Sequence, residues 1–194
     1  ESDRLCKEIF RDMPVAGKLG RQRHLFISAF TPDGPKTHID SLPGPNTSIV
    51  MIKGQPGTGK STLLGKLATA AVERGCGVEI YHHPVDPAKL QHVLIPELDV
   101  LAAASTEMFP FSIDRQCPII NLDYGLDADK VNRYQRELEI DRQTLYQLIN
   151  TAVSLIGKAR EGHRELEKYY EPNIDFAGLD RLAERLLAEI FASS

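Results

Sequence analysis

Nine residues constrain this chain more than any others: GQPGTGKST, positions 54–62. They follow a short apolar run, SIVMIK at 48–53. They precede a segment in which Leu63, Leu64, Leu67, Ala70 and Ala71 recur at helical spacing, with Gly75 as a stop. A buried strand running straight into a glycine loop and then a helix gathers backbone N–H groups at one helix N-terminus, where an anion is favoured. Gly54, Gly57 and Gly59 supply torsions and close approaches that a side chain would block. In this G-x-x-x-x-G-K-S pattern (Walker A) Lys60 would bring charge to the β and γ phosphates, Ser61 a hydroxyl to Mg²⁺, and Thr62 would reach the α-phosphate. The expected cofactor-binding set is therefore Gly54, Gln55, Pro56, Gly57, Thr58, Gly59, Lys60, Ser61 and Thr62. Ser61 is the expected metal ligand, and ATP and Mg²⁺ are the expected cofactors. No N-K-x-D or T-K-x-D guanine-reading stretch occurs, which favours adenine.

Phosphate binding does not by itself imply a reaction. Phosphoryl transfer also needs an acid at the end of a neighbouring strand to orient the metal's water shell. The strand expected at 100–104 ends in Ala102-Ala103-Ala104 and carries no carboxylate. Asp123, ending IINLD, and Glu97, in LIPEL, are the two acids near other apolar runs, so the expected catalytic residues are Lys60, Asp123 and Glu97. For Asp123 a plain turn residue before Tyr124-Gly125 is the competing reading. His82 and Asp86, at a strand end, and Arg115, before Pro118, are candidates for substrate contact. His82, His83, Asp86 and His92 match no metal-ligand spacing. Arg133, Arg136, Arg142, Arg160 and Arg164 form either a solvated helix face or a lid over phosphates.

The remainder reads as α/β. Strands are expected at 24–30, 36–42, 48–53, 78–82, 92–95, 100–104 and 118–122, alternating with the helix after the loop. That order favours a mainly parallel, doubly wound P-loop-type sheet over residues 1–128. TPDGP at 31–35 predicts a hairpin turn. From 129 to 194 the pattern is helical, with about 40 amphipathic residues that would reach about 60 Å as one rod unless broken at Gly157 or Gly162. A last helix is expected at 179–191. The whole is expected to be one structural domain of core plus helical extension.

Of the 194 residues 42% are hydrophobic and 26% charged, as in an ordinary soluble globular chain. A formal net charge of -4 argues against nucleic acid as a partner. No apolar run suits a membrane span and no leader pattern opens the chain. With Cys6, Cys76 and Cys117 odd in number and scattered, the expectation is a cytoplasmic protein with reduced thiols and no membrane partner.

RHLFISAFTPDGP, KGQPGTGKSTLL, VEIYHHPVDP, VLIPEL and AREGHRELEKYY with IDF together span nearly the whole chain. They resemble a largely uncharacterised group of bacterial P-loop, nucleotide-kinase-like ATPases that carry two P-loop domains in tandem. The resemblance implies that this chain, which begins at Glu1, is the C-terminal P-loop domain and partners a second one. It also implies ATP binding through residues 54–62 and roles for His82, Asp86 and Glu97. Where the group shows Asp-Gly-Thr at a strand end, this chain has Ala104-Ser105-Thr106. The expectation is thus an ATPase or kinase-like phosphotransferase, the alternative being a degenerate nucleotide-binding module serving assembly or regulation.

Overall fold

The computed structural model describes residues 2–192. Glu1, Ser193 and Ser194, the outer ends of the two regions expected from sequence, lie outside the described residues. The elements in chain order are α1 (Ser2–Ile9), β1 (Gln22–Leu25), β2 (Ser28–Thr31), β3 (Gly34–Thr37), β4 (Ser48–Lys53), α2 (Lys60–Glu73), β5 (Val78–His82), β6 (Leu90–Ile95), β7 (Val100–Ala104), β8 (Ile119–Asn121), α3 (Ala128–Arg133), α4 (Gln135–Tyr170) and α5 (Phe176–Ala192). Six strands form one sheet in the order β1-β5-β6-β7-β4-β8. Five run one way and β6 runs against them, antiparallel to both β5 and β7. The fold is α/β with a mixed, mostly parallel sheet.

Apolar side chains decide the layering. Val50 and Ile52, Val78 and Ile80, Val93 and Ile95, and Ala102 and Ala104 pack one face of the sheet against Leu63, Leu64, Leu67, Ala68, Ala71 and Val72 of α2. Leu5 and Phe10, from α1 and the residue after it, close the same core. The other face is covered differently. Ile49, Met51, Leu101 and Ala103 meet Ile39 and Phe111, which come from loops. The β2–β3 hairpin packs on α4, in which Ile149 is the one buried residue. The sheet core is thus helix-packed on one face and mainly loop-packed on the other, which departs from the doubly wound expectation.

Three further features bear on the expectations, the first a difference and the other two in keeping with them. The run at 24–30 divides, because His24 and Leu25 extend the main sheet beside β5 while Ser28–Thr31 turns back on β3. The turn is the two residues Pro32-Asp33, held by Thr31 Oγ1 donating to the Gly34 carbonyl at 2.8 Å. And α4 runs 36 residues without a break at Gly157 or Gly162, a rod of about 54 Å. Among the described residues no helix is long and apolar enough to cross a membrane, and Cys6, Cys76 and Cys117 are free thiols.

Candidate functional site

The loop at 54–59 leaves the C-terminal end of β4 and enters α2 at Lys60. Gly54, Gly57 and Gly59 all have positive φ, at 150°, 86° and 95°. At Gly54 a Cβ would also fall 2.6 Å from Thr58 Oγ1, so this position excludes a side chain on two counts. Gly59 caps α2, and Leu63 N–H donates to its carbonyl at 2.9 Å. The first N–H groups of α2 therefore face the loop without partners inside the helix. Six buried residues on the core side of α2 fix that helix end in place.

Lys60 folds over the loop. Its Nζ donates to the carbonyls of Gly54 at 2.5 Å and Gln55 at 2.7 Å. Burial pushes its pKa down, and the negative charge of Asp123 opposes that. Ser61 Oγ accepts a 2.8 Å hydrogen bond from the N–H of Leu90, the first residue of β6. That leaves the hydroxyl hydrogen and a second lone pair uncommitted by it. Thr62 is exposed on the first turn of α2.

The structure brings Asp123 to this loop. Strand β8 pairs in parallel with β4, Lys53 opposite Asn121, and the chain then turns so that Asp123 Oδ1 accepts from Gln55 N–H at 2.7 Å. The turn is set by Asn121 Oδ1, which accepts from Asp123 N–H at 2.9 Å. Strand β7 flanks β4 on the other side, Ile52 opposite Ala104, and offers no carboxylate there. Ser105 and Thr106 just beyond are tied into their own loop by bonds with Phe111 and Phe109.

Two expected residues are elsewhere. Glu97 follows the C-terminal end of β6, and because β6 runs backwards that end lies at the opposite edge of the sheet. There its Oε1 accepts from Gly77 N–H at 2.9 Å, ahead of β5. Ile95 aligns with Val100, and Val100 with Ser48, so Glu97 lies level with the start of β4 and two strands to its side, at least about 16 Å from the loop. Arg115 is at the same remote edge. Its guanidinium donates to the carbonyls of Pro45, Gly44 and Thr47, clamping the entry to β4. Neither residue reaches the glycine loop.

His82 and Asp86 stand on the loop edge, after β5. His82 Nδ1 pairs with the Pro87 carbonyl at 2.5 Å and its Nε2 with His24 Nδ1 at 2.8 Å. Asp86 pairs with Lys89 at 3.1 Å and accepts from Ala88 N–H; those bonds hold its pKa below the usual carboxylate range. Sequence reasoning gave no role to His83, which is half-buried against Phe109 with ring centroids 6.0 Å apart. Burial lowers its pKa, the charge of Asp86 opposes that, and the charges of Lys89 and then Lys60 add to the lowering. His83 therefore sits within the electrostatic reach of the loop lysine. The doublet His82-His83 at the end of β5 was the available signal.

Two arginines of α4 are engaged outside the loop. Arg142 pairs with Glu107 and Glu139, and Arg160 with Asp33 of the hairpin turn. Surface grooves of about 660 and 650 Å³ lie beside α1 and β8, away from the loop residues.

Among the described residues no three or more His, Cys, Asp or Glu side chains gather into a metal cage. The donor set at the loop, one hydroxyl and one nearby carboxylate, fits a magnesium ion that takes its other ligands from phosphate and water. No family model, curated protein or solved structure matches this chain.

Proposed function

We propose that the chain binds ATP with Mg²⁺ at residues 54–62, and that Asp123 is the acid that serves the metal. One observation carries the reading. A loop with three positive-φ glycines joins a buried parallel strand to a helix N-terminus, and Lys60 and Asp123 converge on it. That arrangement brings backbone donors, one cation and one carboxylate to a single loop, the donor set that a phosphate group calls for.

Each residue has a role that follows from its contacts. Lys60 exchanges the Gly54 and Gln55 carbonyls for phosphate oxygens of greater charge. Ser61, held by Leu90 N–H, offers its remaining lone pair to the cation. Asp123 keeps one oxygen on Gln55 N–H, which fixes the loop, and presents the other to the metal's water shell. Mg²⁺ supplies charge neutralisation on the phosphates. His83, whose pKa burial lowers, is a neutral ring packed against Phe109 after the end of β5.

The strand end at Ala104 supports slow turnover. The side of β4 that β7 flanks holds no carboxylate, so a single acid serves the site. A nucleotide-binding module that regulates or assembles with a second P-loop domain is the reading favoured if that acid does not suffice.

Calorimetric titration of ATP with and without Mg²⁺, followed by phosphate release on the same sample, tests the proposal. Binding that needs Mg²⁺ and fails in Lys60→Ala supports the site. Slow release that rises in Ala104→Asp favours the weak enzyme over the module. Absence of nucleotide binding in the folded chain overturns the assignment.

A further inference from the structure

The helical region leaves a long apolar face uncovered. On α4 the side that meets the body of the protein carries Ile149, Val153, Tyr146 and the two anchoring arginines. About a third of a turn away runs a second stripe: Leu145, Leu148, Ala152, Leu155, Ala159, Gly162, Leu166 and Tyr169. The intervals alternate three and four without a fault, and all eight positions are exposed. A 3.5-residue repeat sustained over more than three heptads is the seam of a coiled coil, a helix face that packs on another helix. α5 repeats the situation: none of its residues is buried, with Phe176 at 56%, Leu187 at 53% and Phe191 at 73% exposure.

The order of sizes along the seam identifies the other helix. Paired with itself antiparallel about Gly157, the stripe puts Leu145 opposite Tyr169, Leu148 opposite Leu166, Ala152 opposite Gly162 and Leu155 opposite Ala159. Large meets large at both ends, and the centre is small against small or small against large, so two helices can approach closely there. A two-fold interface requires a patch complementary to itself, and this stripe has that property. Uncovered, Leu148 stands at 64% exposure, Leu155 at 59%, Leu166 at 55% and Tyr169 at 75%, a continuous row of large apolar side chains of the kind a stable interface buries.

We propose that the chain forms a two-fold dimer with a second copy of itself through the α4 seam, in the antiparallel register about Gly157. Each α5, about 26 Å long against about 54 Å for α4, spans half of the paired rods. One α5 at each end therefore has the length to cover the pair, completing a four-helix arrangement. The dimer is independent of the nucleotide site, whose residues lie on the loop after β4, the first turn of α2 and the turn after β8.

Sedimentation velocity of residues 1–194 across micromolar concentrations tests this. The expected result is a dimer, and Leu148→Glu with Leu155→Glu should weaken it at least about 100-fold by placing charges in the seam. Arg164→Glu, off the seam, should leave it intact, and circular dichroism should show unchanged helix in every variant. For the register, a chain bearing Leu148→Cys mixed with one bearing Leu166→Cys should cross-link on mild oxidation in preference to either alone. A wild-type chain that stays monomeric overturns the proposal. So does a dimer unmoved by the two glutamates, or self-linking of the Leu148→Cys chain in preference to the mixed pair.

Discussion

Asp123 and Glu97 make the same bond at opposite ends of one sheet. Each carboxylate accepts a backbone N–H, from Gln55 at 2.7 Å and from Gly77 at 2.9 Å. At one end the amide belongs to a glycine loop beside an ammonium group and a helix N-terminus. At the other it belongs to the turn that launches β5. A carboxylate on a main-chain amide is by itself only a clasp. What surrounds the amide decides whether the free oxygen faces a ligand or water, and strand direction decides what surrounds it.

Four changes put that contrast to work. Lys60→Ala acts at the ligand end and should have the largest effect. It removes charge-assisted contacts worth about 1.5–3 kcal/mol each, so ATP affinity should fall at least about 100-fold with the far-ultraviolet spectrum unchanged. Unaltered affinity in titration calorimetry would break the contrast outright.

Asp123→Asn should slow phosphate release about 100-fold, a loss of about 3 kcal/mol in transition-state stabilisation, while ATP affinity changes much less. If release is untouched, the two carboxylates are equivalent clasps.

Between the two ends lies His92, buried with both ring nitrogens lacking a partner. Burial lowers its pKa from 6.5 to about 3. The unfolded chain takes up this proton below about pH 6.5 and the folded chain does not. Stability present at neutral pH is therefore lost progressively as pH falls from about 6.5 toward about 3. Between pH 7 and pH 5 the loss should be on the order of 2 kcal/mol. Urea denaturation of the wild type and of His92→Leu measures it, the variant showing a flatter dependence over that interval.

Glu97→Gln should have the smallest effect, about 1 kcal/mol of stability or less, since an amide oxygen can still accept from Gly77. Its ATP affinity and phosphate release should match wild type. A fall in either would place Glu97 at the site despite its position.

The same contrast marks where sequence reading succeeded. SIVMIK, the helix after it, and the runs at 78–82 and 100–104 form the elements expected of them, because uninterrupted burial leaves a plain apolar signature. Strand direction has no such signature. It was nevertheless written in the spacing: too few residues separate β5 from β6, and β6 from β7, for the crossover that parallel neighbours require. That spacing puts Glu97 at the remote edge. Arg115 is remote for a related reason, since the loop after β7 must travel back to the start of β8. Asp123 could be found because β8 is parallel to β4 and ends where β4 ends. The division of 24–30 into two strands was not legible, as nothing in HLFISAF distinguishes the residues that join the main sheet from those that leave it.

Helix α4 also acts as a mechanical strut. It is held at one point by Arg142 and Tyr146 on Glu107, in the loop that follows β7, and at another by Arg160 on Asp33, at the tip of the hairpin. Eighteen residues of unbroken helix separate Arg142 from Arg160, which fixes the spacing of the anchors at about 27 Å. A rod transmits displacement without absorbing it. The Glu107 loop, one strand over from the glycine loop, and the hairpin tip are therefore tied to one continuous helix at a set spacing.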